Sequence, residues 1–288
     1  MEKLRVEKLK AGMMLAKTIY AVDGRVLVRE KTEITASILQ KLKELGLPAA
    51  YIETASETLG EDLVSEQTRV DVISRLAKLE NEVRTGHSLN LAANKQALYN
   101  LVDEVVSNQK KFVSITDIRL HNDYICGHSV NVATISAKIG LQLGFNQLKL
   151  AELAVGALFH DIGMAKVPVE TLDKKGNLTA EELKLIRTHP EMGYNMLRQT
   201  SDVSTVSAHV AYQHHERYDG TGYPRGLVGD AIHEFGRIAA VADVFDSLTT
   251  EKVYRHAISV FETLKQIKNK AGTEFDPAVV DILTQVVS

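Results

Sequence analysis

The sequence predicts a mainly helical protein that begins with a small module containing strands. Residues 1–55 alternate short apolar runs with turn signals, whereas apolar residues at helical spacing fill most of the chain after residue 97. The chain has 288 residues and a formal net charge of -3. It is therefore long enough to bury a large core, and it lacks the basic excess of a protein that binds a nucleic-acid polymer.

Composition also narrows the cellular setting that we expect. No apolar stretch approaches the roughly 18 residues needed to cross a bilayer, and AGMMLA near the start is too short for the core of a signal peptide. Cys126 is the single cysteine, so an internal disulfide cannot form. We expect a cytoplasmic protein with no membrane insertion, in which Cys126 is a small core residue.

The first 55 residues are predicted to form a small α/β module. Turn signals at Ala11-Gly12 and Asp23-Gly24 separate the runs LRVEKL, MMLAKTIY and RVLV, a pattern typical of short strands. TASILQKLKELGL predicts an amphipathic helix that ends at Gly46, and AAYIE predicts a further strand. We expect this module to be regulatory or structural.

Residues 56–96 are predicted to form a helical connector to the main domain. This stretch is polar and favours a helix, with apolar positions that include Val70, Ile73, Leu76 and Leu79. Its apolar face could pack on its own domain or contact a second copy of the chain. A homodimer is therefore left open by the sequence.

Residues 97–288 are predicted to form an all-helical domain. SVNVATISAKIGLQL and LKLAELAVGALFH have helical spacing, and TAEELKLI opens with Thr179 and Glu182 in the positions of a capping box. The conspicuous loop between helices is ERYDGTGYPRGLVGD, whose glycines and single proline disfavour regular structure.

Several histidines and two aspartates flank apolar helical segments in this domain. His189 precedes Pro190, which predicts a junction between two helices. An unpaired buried carboxylate is costly, and a cation relieves that cost. The candidate ligands are His128, His160, Asp161, His189, His214, His215 and Asp243. Their nitrogen and oxygen atoms suit two ions such as iron, manganese, zinc or nickel better than magnesium or calcium.

The order of these motifs resembles a known family. HSVNVA, HDIGMAK, HPEMG, HHERYDGTGYPRGL and VADVFDSLT occur in sequence and together look like the HD-GYP family, a branch of the HD metal-dependent phosphohydrolases. The resemblance covers roughly residues 97–285. It implies an all-helical domain with a centre of two or three metal ions that hydrolyses the bacterial messenger cyclic di-GMP.

The resemblance also implies roles for individual residues. The seven candidate ligands would hold the metals, with His160 and Asp161 at the catalytic centre and Asp161 as the bridge between ions. Gly222, Tyr223 and Pro224 form the signature of the family and would line the substrate site or dock other proteins, such as diguanylate cyclases.

Two basic residues near the C-terminus match family positions that contact substrate. Lys252 and Arg255 lie in the stretch TEKVYRH, and a phosphodiester substrate needs cationic partners. The alternative is that both are solvated helix charges.

In the implied mechanism, a hydroxide that bridges two metal ions attacks one phosphodiester of the cyclic dinucleotide. The product would be linear pGpG, or GMP after a second attack, and the sequence leaves that choice open.

Two departures from the family pattern stand out. Met164 occupies the usual position of a lysine, and on a regular helix Lys166 would point elsewhere. Tyr124 replaces a glutamate that members with three metals use, which predicts two ions, with iron or manganese expected.

Three other functions remain as alternatives. A catalytically weak sensor of cyclic di-GMP, or a protein-docking module, would keep its metals for structure, and Met164 favours this alternative. A phosphohydrolase of other nucleotides would include cyclic GMP-AMP among its substrates. A scaffold without metals is disfavoured by the complete ligand set.

Overall fold

The computed structural model describes residues 1–21, 23–54, 62–91, 94–111, 124–172, 174, 176–251 and 256–287. The described residues form a mainly helical protein with a few short strands near the N-terminus, which confirms the predicted fold class. Two separate clusters of buried apolar residues lie in the strand-containing unit and in the helical remainder. None of the described helices has the length and apolar composition needed to span a membrane.

The N-terminal unit contains two small antiparallel sheets and one helix. Its elements are β1 (Glu2–Arg5), β2 (Ile19–Tyr20), β3 (Val26–Val28), α1 (Ala36–Glu44) and β4 (Ala49–Ile52). β1 pairs with β4, and β2 pairs with β3. The strands are shorter than the apolar runs that predicted them, because LRVEKL turns into a 3₁₀ helix at Val6 and MMLAKTIY contributes isolated bridges before β2.

Local signals define the helix of this unit. The Thr35 hydroxyl accepts a hydrogen bond from the Ile38 amide at 3.2 Å, which caps the first turn of α1. Gly46 follows the helix with a φ of +69°, a conformation that glycine adopts without strain. The predicted end of this helix is therefore confirmed. Leu15, Ile34 and Leu42 are buried in the small core beneath it.

The larger part of the chain is helical. Its helices are α2 (Glu66–Arg84), α3 (Lys95–Ser107), α4 (Tyr124–Gln142), α5 (Gln147–Leu158), α6 (Val169–Leu172), α7 (Ala180–Ile186), α8 (His189–Arg198), α9 (Thr205–Gln213), α10 (Glu234–Thr249), α11 (Val260–Lys268) and α12 (Pro277–Val286). The central helix α4 is buried along most of its length and packs against α5 and α10. The ends of the surrounding helices converge beside it, which places their terminal residues close together.

Helix α2 belongs to the packing of this helical part. Its residues Val72, Ile73, Leu76 and Leu79 join the same apolar cluster as the central helices, and α2 contacts α3, α4 and the 3₁₀ turn at Ile162–Lys166. Of the four predicted apolar positions, Ile73, Leu76 and Leu79 therefore pack within the helical part of the chain, and Val70 is half-buried outside the cluster.

Two predicted helix starts are confirmed, one by a capping box and one by a proline in the first turn. The Thr179 hydroxyl accepts from the Glu182 amide, and the Glu182 carboxylate accepts from the Thr179 amide at 2.7 Å, which completes the capping box of α7. Helix α8 begins at His189 with Pro190 in its first turn. His189 therefore lies at the junction between α7 and α8, as its proline neighbour predicts.

Candidate metal centre

Seven histidine and aspartate side chains meet where α4, α5, α8, α9 and α10 converge, and they form two groups. The first group is Asp161, His189, His214 and His215, and the second group is His128, His160 and Asp243. Within each group, one candidate ligand atom per residue lies within 4.8 Å of the others. These are the seven residues that the sequence predicts as ligands, and each group has enough donors to hold a metal ion.

Three of the histidines are oriented by backbone carbonyls. The last carbonyls of a helix have no partner within the helix, so they can accept a hydrogen bond from a side chain. The Nδ1 atoms of His160, His189 and His214 lie 2.8, 2.7 and 3.0 Å from the carbonyl oxygens of Ala157, Ile186 and Ala211. A hydrogen on each Nδ1 leaves the Nε2 lone pair directed into the centre.

Asp161 lies between the two groups. Its Oδ1 atom is 3.1 Å from His189 Nε2 and 3.5 Å from His214 Nε2, both in the first group. Its Oδ2 atom is 3.4 Å from His160 Nε2, in the second group. The two oxygens of one carboxylate therefore face different groups, which is the arrangement expected of a bridging ligand.

A glycine permits the close approach that builds the first group. Gly163 follows Asp161 in the 3₁₀ turn, and a Cβ atom at this position would collide with the carbonyl oxygen of His189. The turn after α5 can therefore pack directly on the start of α8. Because of this contact, Asp161 and His189 reach each other although they come from different helices.

His128 in the second group is oriented by a carboxylate instead. Its Nδ1 lies 2.7 Å from Asp246 Oδ2 and its Nε2 lies 3.0 Å from Asp243 Oδ1. The buried Asp246 carboxylate also accepts hydrogen bonds from Asn131 Nδ2 at 2.7 Å and from the Thr250 hydroxyl at 3.0 Å. Burial opposes protonation of His128, but its two aspartate partners outweigh it and raise its pKa to about 10.

Sequence reasoning missed Asp246 and the residues behind it. Asp246 stands three positions after Asp243 on α10, so both carboxylates lie on one face of the helix, and this spacing is visible in VADVFDSLT. The Asn131 amide oxygen in turn accepts a hydrogen bond from the buried guanidinium of Arg69 on α2. No local sequence signal connects Arg69 with this network, because the contact spans α2 and α4.

The protonation states of two aspartates and two histidines of the centre favour cations. Burial disfavours the charge on Asp161 and Asp243, but the adjacent imidazoles outweigh it and lower both pKa values. Burial lowers the pKa of His214 and, more strongly, that of His215. At neutral pH the carboxylates are therefore ionised and these two imidazoles are neutral, which is the state in which both types of side chain bind metals.

Within the described ranges, buried histidine nitrogen atoms without hydrogen-bond donors facing them show that the ligand residues fit divalent metal ions. His160 Nε2 is buried and has no hydrogen-bond partner among the described residues. His189 Nε2 and His214 Nε2 lie 3.2 Å apart, and with hydrogen on each Nδ1 their lone pairs face each other. Buried acceptors of this kind are costly without a partner, and a cation supplies one.

The glycine-rich loop lies against the first group. The Tyr223 ring stacks on the His215 ring, with centroids 4.8 Å apart and planes 24° apart, and the Tyr223 amide donates to the His215 carbonyl at 3.1 Å. The buried Glu216 carboxylate holds the loop by accepting from the amides of Arg225 and Leu227 at 2.8 and 3.0 Å. Glu216 is a second residue that sequence reasoning did not single out.

The three signature residues of this loop have different surroundings. A Cβ atom at Gly222 would collide with the backbone amide of Arg217, so the loop requires glycine there. Tyr223 is half-buried beside the centre, whereas Pro224 is exposed at the surface. Of the three, Tyr223 is the side chain in contact with a residue of the first group.

The 3₁₀ turn after Asp161 brings no cation to the centre. Met164 is half-buried and uncharged, and Lys166 Nζ donates to the Val83 carbonyl at 2.9 Å, at the end of α2. Lys166 therefore does not take the role of the lysine that Met164 replaces. Other predicted positions lie outside the described residues, namely Lys252, Arg255 and the side chain of Tyr124.

Residues 101–279 match the protein-family model described as HD domain. The chain belongs to the HD domain family. Two curated relatives are the cyclic di-GMP phosphodiesterase PA4108 of Pseudomonas aeruginosa and the cyclic di-GMP phosphodiesterase response regulator RpfG of Xanthomonas campestris pv. campestris. The first is 28% identical over 98% of this chain and 67% of its own length. The second is 39% identical over 52% of this chain and 40% of its own length. This HD domain protein therefore spans about two thirds of one relative and two fifths of the other.

A solved structure shares the fold over almost the whole chain. Bd1817, an HDG"Y"P protein from Bdellovibrio bacteriovorus, matches with a TM-score of 0.61 and 18% identity, over 99% of both chains. At this identity the match shows the fold alone. Together with the family match and the relatives, it confirms the resemblance to the HD-GYP branch of HD domains that the motifs predict.

Proposed function

We propose that this HD domain protein is a cyclic di-GMP phosphodiesterase that hydrolyses the messenger to pGpG, GMP or both. The observation that carries the proposal is the position of Asp161, whose two oxygens face the two ligand groups at 3.1 to 3.5 Å. The names of the two curated relatives support this substrate. Cyclic di-GMP is thus the small-molecule partner of the site.

The proposed cofactors are two divalent ions, iron or manganese, although the ligand types also accept zinc or nickel. The first group would hold one ion and the second group the other, with Asp161 shared between them. When bound, such ions make a water molecule nucleophilic at neutral pH and polarise the phosphoryl oxygens.

The residues of the chain contribute fixed positions and charges. Asp161 stays ionised and holds the two groups at a set separation, while carbonyl-bound imidazoles keep their Nε2 atoms aimed inward. Tyr223, with Gly222 and Pro224 on either side, would form one wall of the substrate site. We keep Lys252 and Arg255 as proposed substrate contacts on the family resemblance alone.

A sensor or docking module that keeps its metals only for structure is the less favoured alternative. Met164, which occupies the usual position of a lysine, is the argument for this alternative. Both ligand groups nevertheless keep their full set of metal donors. The curated relatives, which are named as cyclic di-GMP phosphodiesterases, favour turnover over binding alone.

The remaining parts of the proposal concern the rest of the chain. We assign residues 1–55 to a regulatory module, 56–96 to a connector and 97–288 to the catalytic domain, in a cytoplasmic protein. Arg5 in β1 supports a regulatory link, because its guanidinium donates to Glu251 Oε1 at 2.7 Å and lies 3.2 Å from His256 Nδ1. A homodimer, and docking of diguanylate cyclases on the glycine-rich loop, are further proposals.

An anaerobic assay tests the proposed activity. Protein loaded with Fe(II) or Mn(II) is incubated with cyclic di-GMP or with 3'3'-cyclic GMP-AMP, and the products are separated by chromatography. We expect conversion of cyclic di-GMP to pGpG or GMP, loss of conversion in Asp161→Ala, and normal conversion in Asp202→Ala, which removes an ion pair with Lys95 on the surface. Binding of cyclic di-GMP without turnover would favour the sensor, and faster turnover of cyclic GMP-AMP would reassign the substrate.

A further inference from the structure

One arginine lies beside the candidate metal centre without a carboxylate partner. Arg187 follows α7 and stands two residues before His189. Its guanidinium carbon lies 5.1 Å from the centroid of the Tyr223 ring. Among the described residues it forms no ion pair, and its side chain is exposed. Its full positive charge is therefore available to a ligand.

Tyr223 connects this charge to the centre. The same ring that contacts Arg187 stacks on His215 of the first group, and the Tyr223 amide is fixed by the His215 carbonyl. The aromatic ring attracts the guanidinium and limits its orientations. Arg187 thus contacts the ring that stacks on a candidate ligand, without being one of the ligands itself.

Two other basic side chains in the described part of the chain near the centre are engaged with partners of their own. Lys166 donates to the Val83 carbonyl, and position 164 carries no charge. Arg217, at the base of the glycine-rich loop, pairs with Glu274 at 2.7 Å. A substrate phosphate at this edge would therefore meet Arg187 as its cationic partner among these residues.

Resting on the proposed function, we propose that Arg187 binds the phosphodiester of the cyclic dinucleotide that is not being cleaved. A cyclic dinucleotide carries two phosphodiesters, each with one negative charge. The reacting one must lie at the two ligand groups, whereas Arg187 is not a ligand and is connected to the first group through the Tyr223 ring. The planar guanidinium can donate two parallel hydrogen bonds to phosphate oxygens, which a thioether or an ammonium cannot reproduce.

This role predicts selective effects on substrates with two phosphodiesters. Arg187→Met should raise the KM for cyclic di-GMP about 10-fold and change kcat little, because the lost contact is to a group that does not react. Hydrolysis of bis(4-nitrophenyl) phosphate, which has a single phosphodiester, should be unchanged. Arg187→Lys should recover part of the loss, since it keeps the charge and loses the planar fork.

Arg198→Met is the matched control. Arg198 is also exposed and also lies over a tyrosine ring, 6.0 Å from the centroid of Tyr194. Tyr194, however, stacks on His209 and Tyr212, which belong to neither ligand group. The control should leave the KM values for both substrates unchanged. The metal content of all variants should equal that of the wild type.

Binding is measured separately from turnover to distinguish this inference from the proposed function. Calorimetry with the bis-phosphorothioate analogue of cyclic di-GMP on Mn(II)-loaded protein should show about 10-fold weaker binding by Arg187→Met. Wild-type protein that binds the analogue without cleaving cyclic di-GMP would overturn the proposed function and leave this test intact. Equal binding by wild type and Arg187→Met, no binding by the wild type, or equal losses on both substrates would overturn the role of Arg187.

Discussion

The two ligand groups differ in one histidine, because backbone carbonyls orient His160 of the second group as well as two histidines of the first, whereas a carboxylate orients His128. In the first group, His189 and His214 donate their Nδ1 hydrogens to backbone carbonyls at helix ends. In the second group, His128 is held by the carboxylate of Asp246, which depends in turn on Asn131. Orientation by the backbone survives side-chain changes elsewhere, whereas orientation by a polar network can be altered one residue at a time. The second group is therefore where mutation can tune the centre.

The largest effect is expected from removal of a ligand in the first group. His189→Ala deletes the imidazole 3.1 Å from Asp161 Oδ1, and no neighbouring side chain can replace a donor fixed by the start of α8. We expect loss of one metal ion per chain and a fall in turnover on the order of 10³-fold. Metal analysis and initial rates measure both quantities. The exposed His87 supplies the control, His87→Ala, and normal turnover by His189→Ala would contradict the assignment.

A smaller loss is expected when the second group loses its orienting carboxylate. Asp246→Asn keeps the shape of the side chain but removes the charge that holds His128 at 2.7 Å. We expect a 10- to 100-fold loss of activity or of metal affinity, which is typical of partners behind metal ligands. The loss should be confined to one of two ions in a metal titration. Asp230→Asn is the control, because the Asp230 side chain is 90% exposed. Equal activity and equal metal affinity in the two variants would contradict the role of Asp246 in orienting His128.

The buried Glu80 on α2 should make the stability of the folded protein depend on pH. Burial, together with the nearby Asp161 carboxylate, raises the pKa of Glu80 to about 7, so the folded metal-free protein favours the protonated form below that pH. The free energy of unfolding should therefore fall as pH rises from about 4.5 to 7. Glu80→Gln should remove this fall and add about 2 kcal/mol at pH 8 in metal-free protein.

Denaturant titrations at pH 5 and pH 8 measure this difference. The variant and the wild type should have similar stability at the lower pH and separate at the higher one. Stability curves that run parallel across this range would show that Glu80 is ionised in the folded protein.

The smallest effect is expected at the far end of the network behind His128. Arg69→Met removes the guanidinium that donates to Asn131. Asn131 in turn reaches His128 through Asp246. We expect turnover to fall about 3-fold, less than in Asp246→Asn, because the effect must pass through Asn131 and Asp246. Arg75→Met on the same helix is the control, since Arg75 pairs with Asp71 near the surface. A larger loss in Arg69→Met than in Asp246→Asn would contradict the proposed order of contacts.

Local signals account for what the sequence predicted correctly. The capping box at Thr179, the helix start at His189-Pro190 and the helix end at Gly46 each depend on a few adjacent residues. The seven candidate ligands could be named because the motifs that contain them occur in a characteristic order. The structure adds that Asp161 faces both groups, a relation that requires Gly163 to admit the start of α8.

Long-range contacts account for what the sequence could not supply. Asp246 is separated from His128 by 118 positions, and Arg187 is connected to the centre through the Tyr223 ring. The contact between the Lys166 ammonium and the Val83 carbonyl likewise joins distant segments of the chain. Such contacts depend on how helices pack, and residues far apart along the chain give no local pattern to detect.

Metal stoichiometry in two aspartate variants tests the central claim most directly, namely that Asp161 joins the two groups. Asp161→Asn and Asp243→Asn are loaded with Mn(II), freed of excess metal by gel filtration and analysed by mass spectrometry. Because Asp161 faces both groups and Asp243 belongs to one, Asp161→Asn should retain well under one ion per chain and Asp243→Asn about one. Retention of one or two ions by Asp161→Asn would contradict the bridging role.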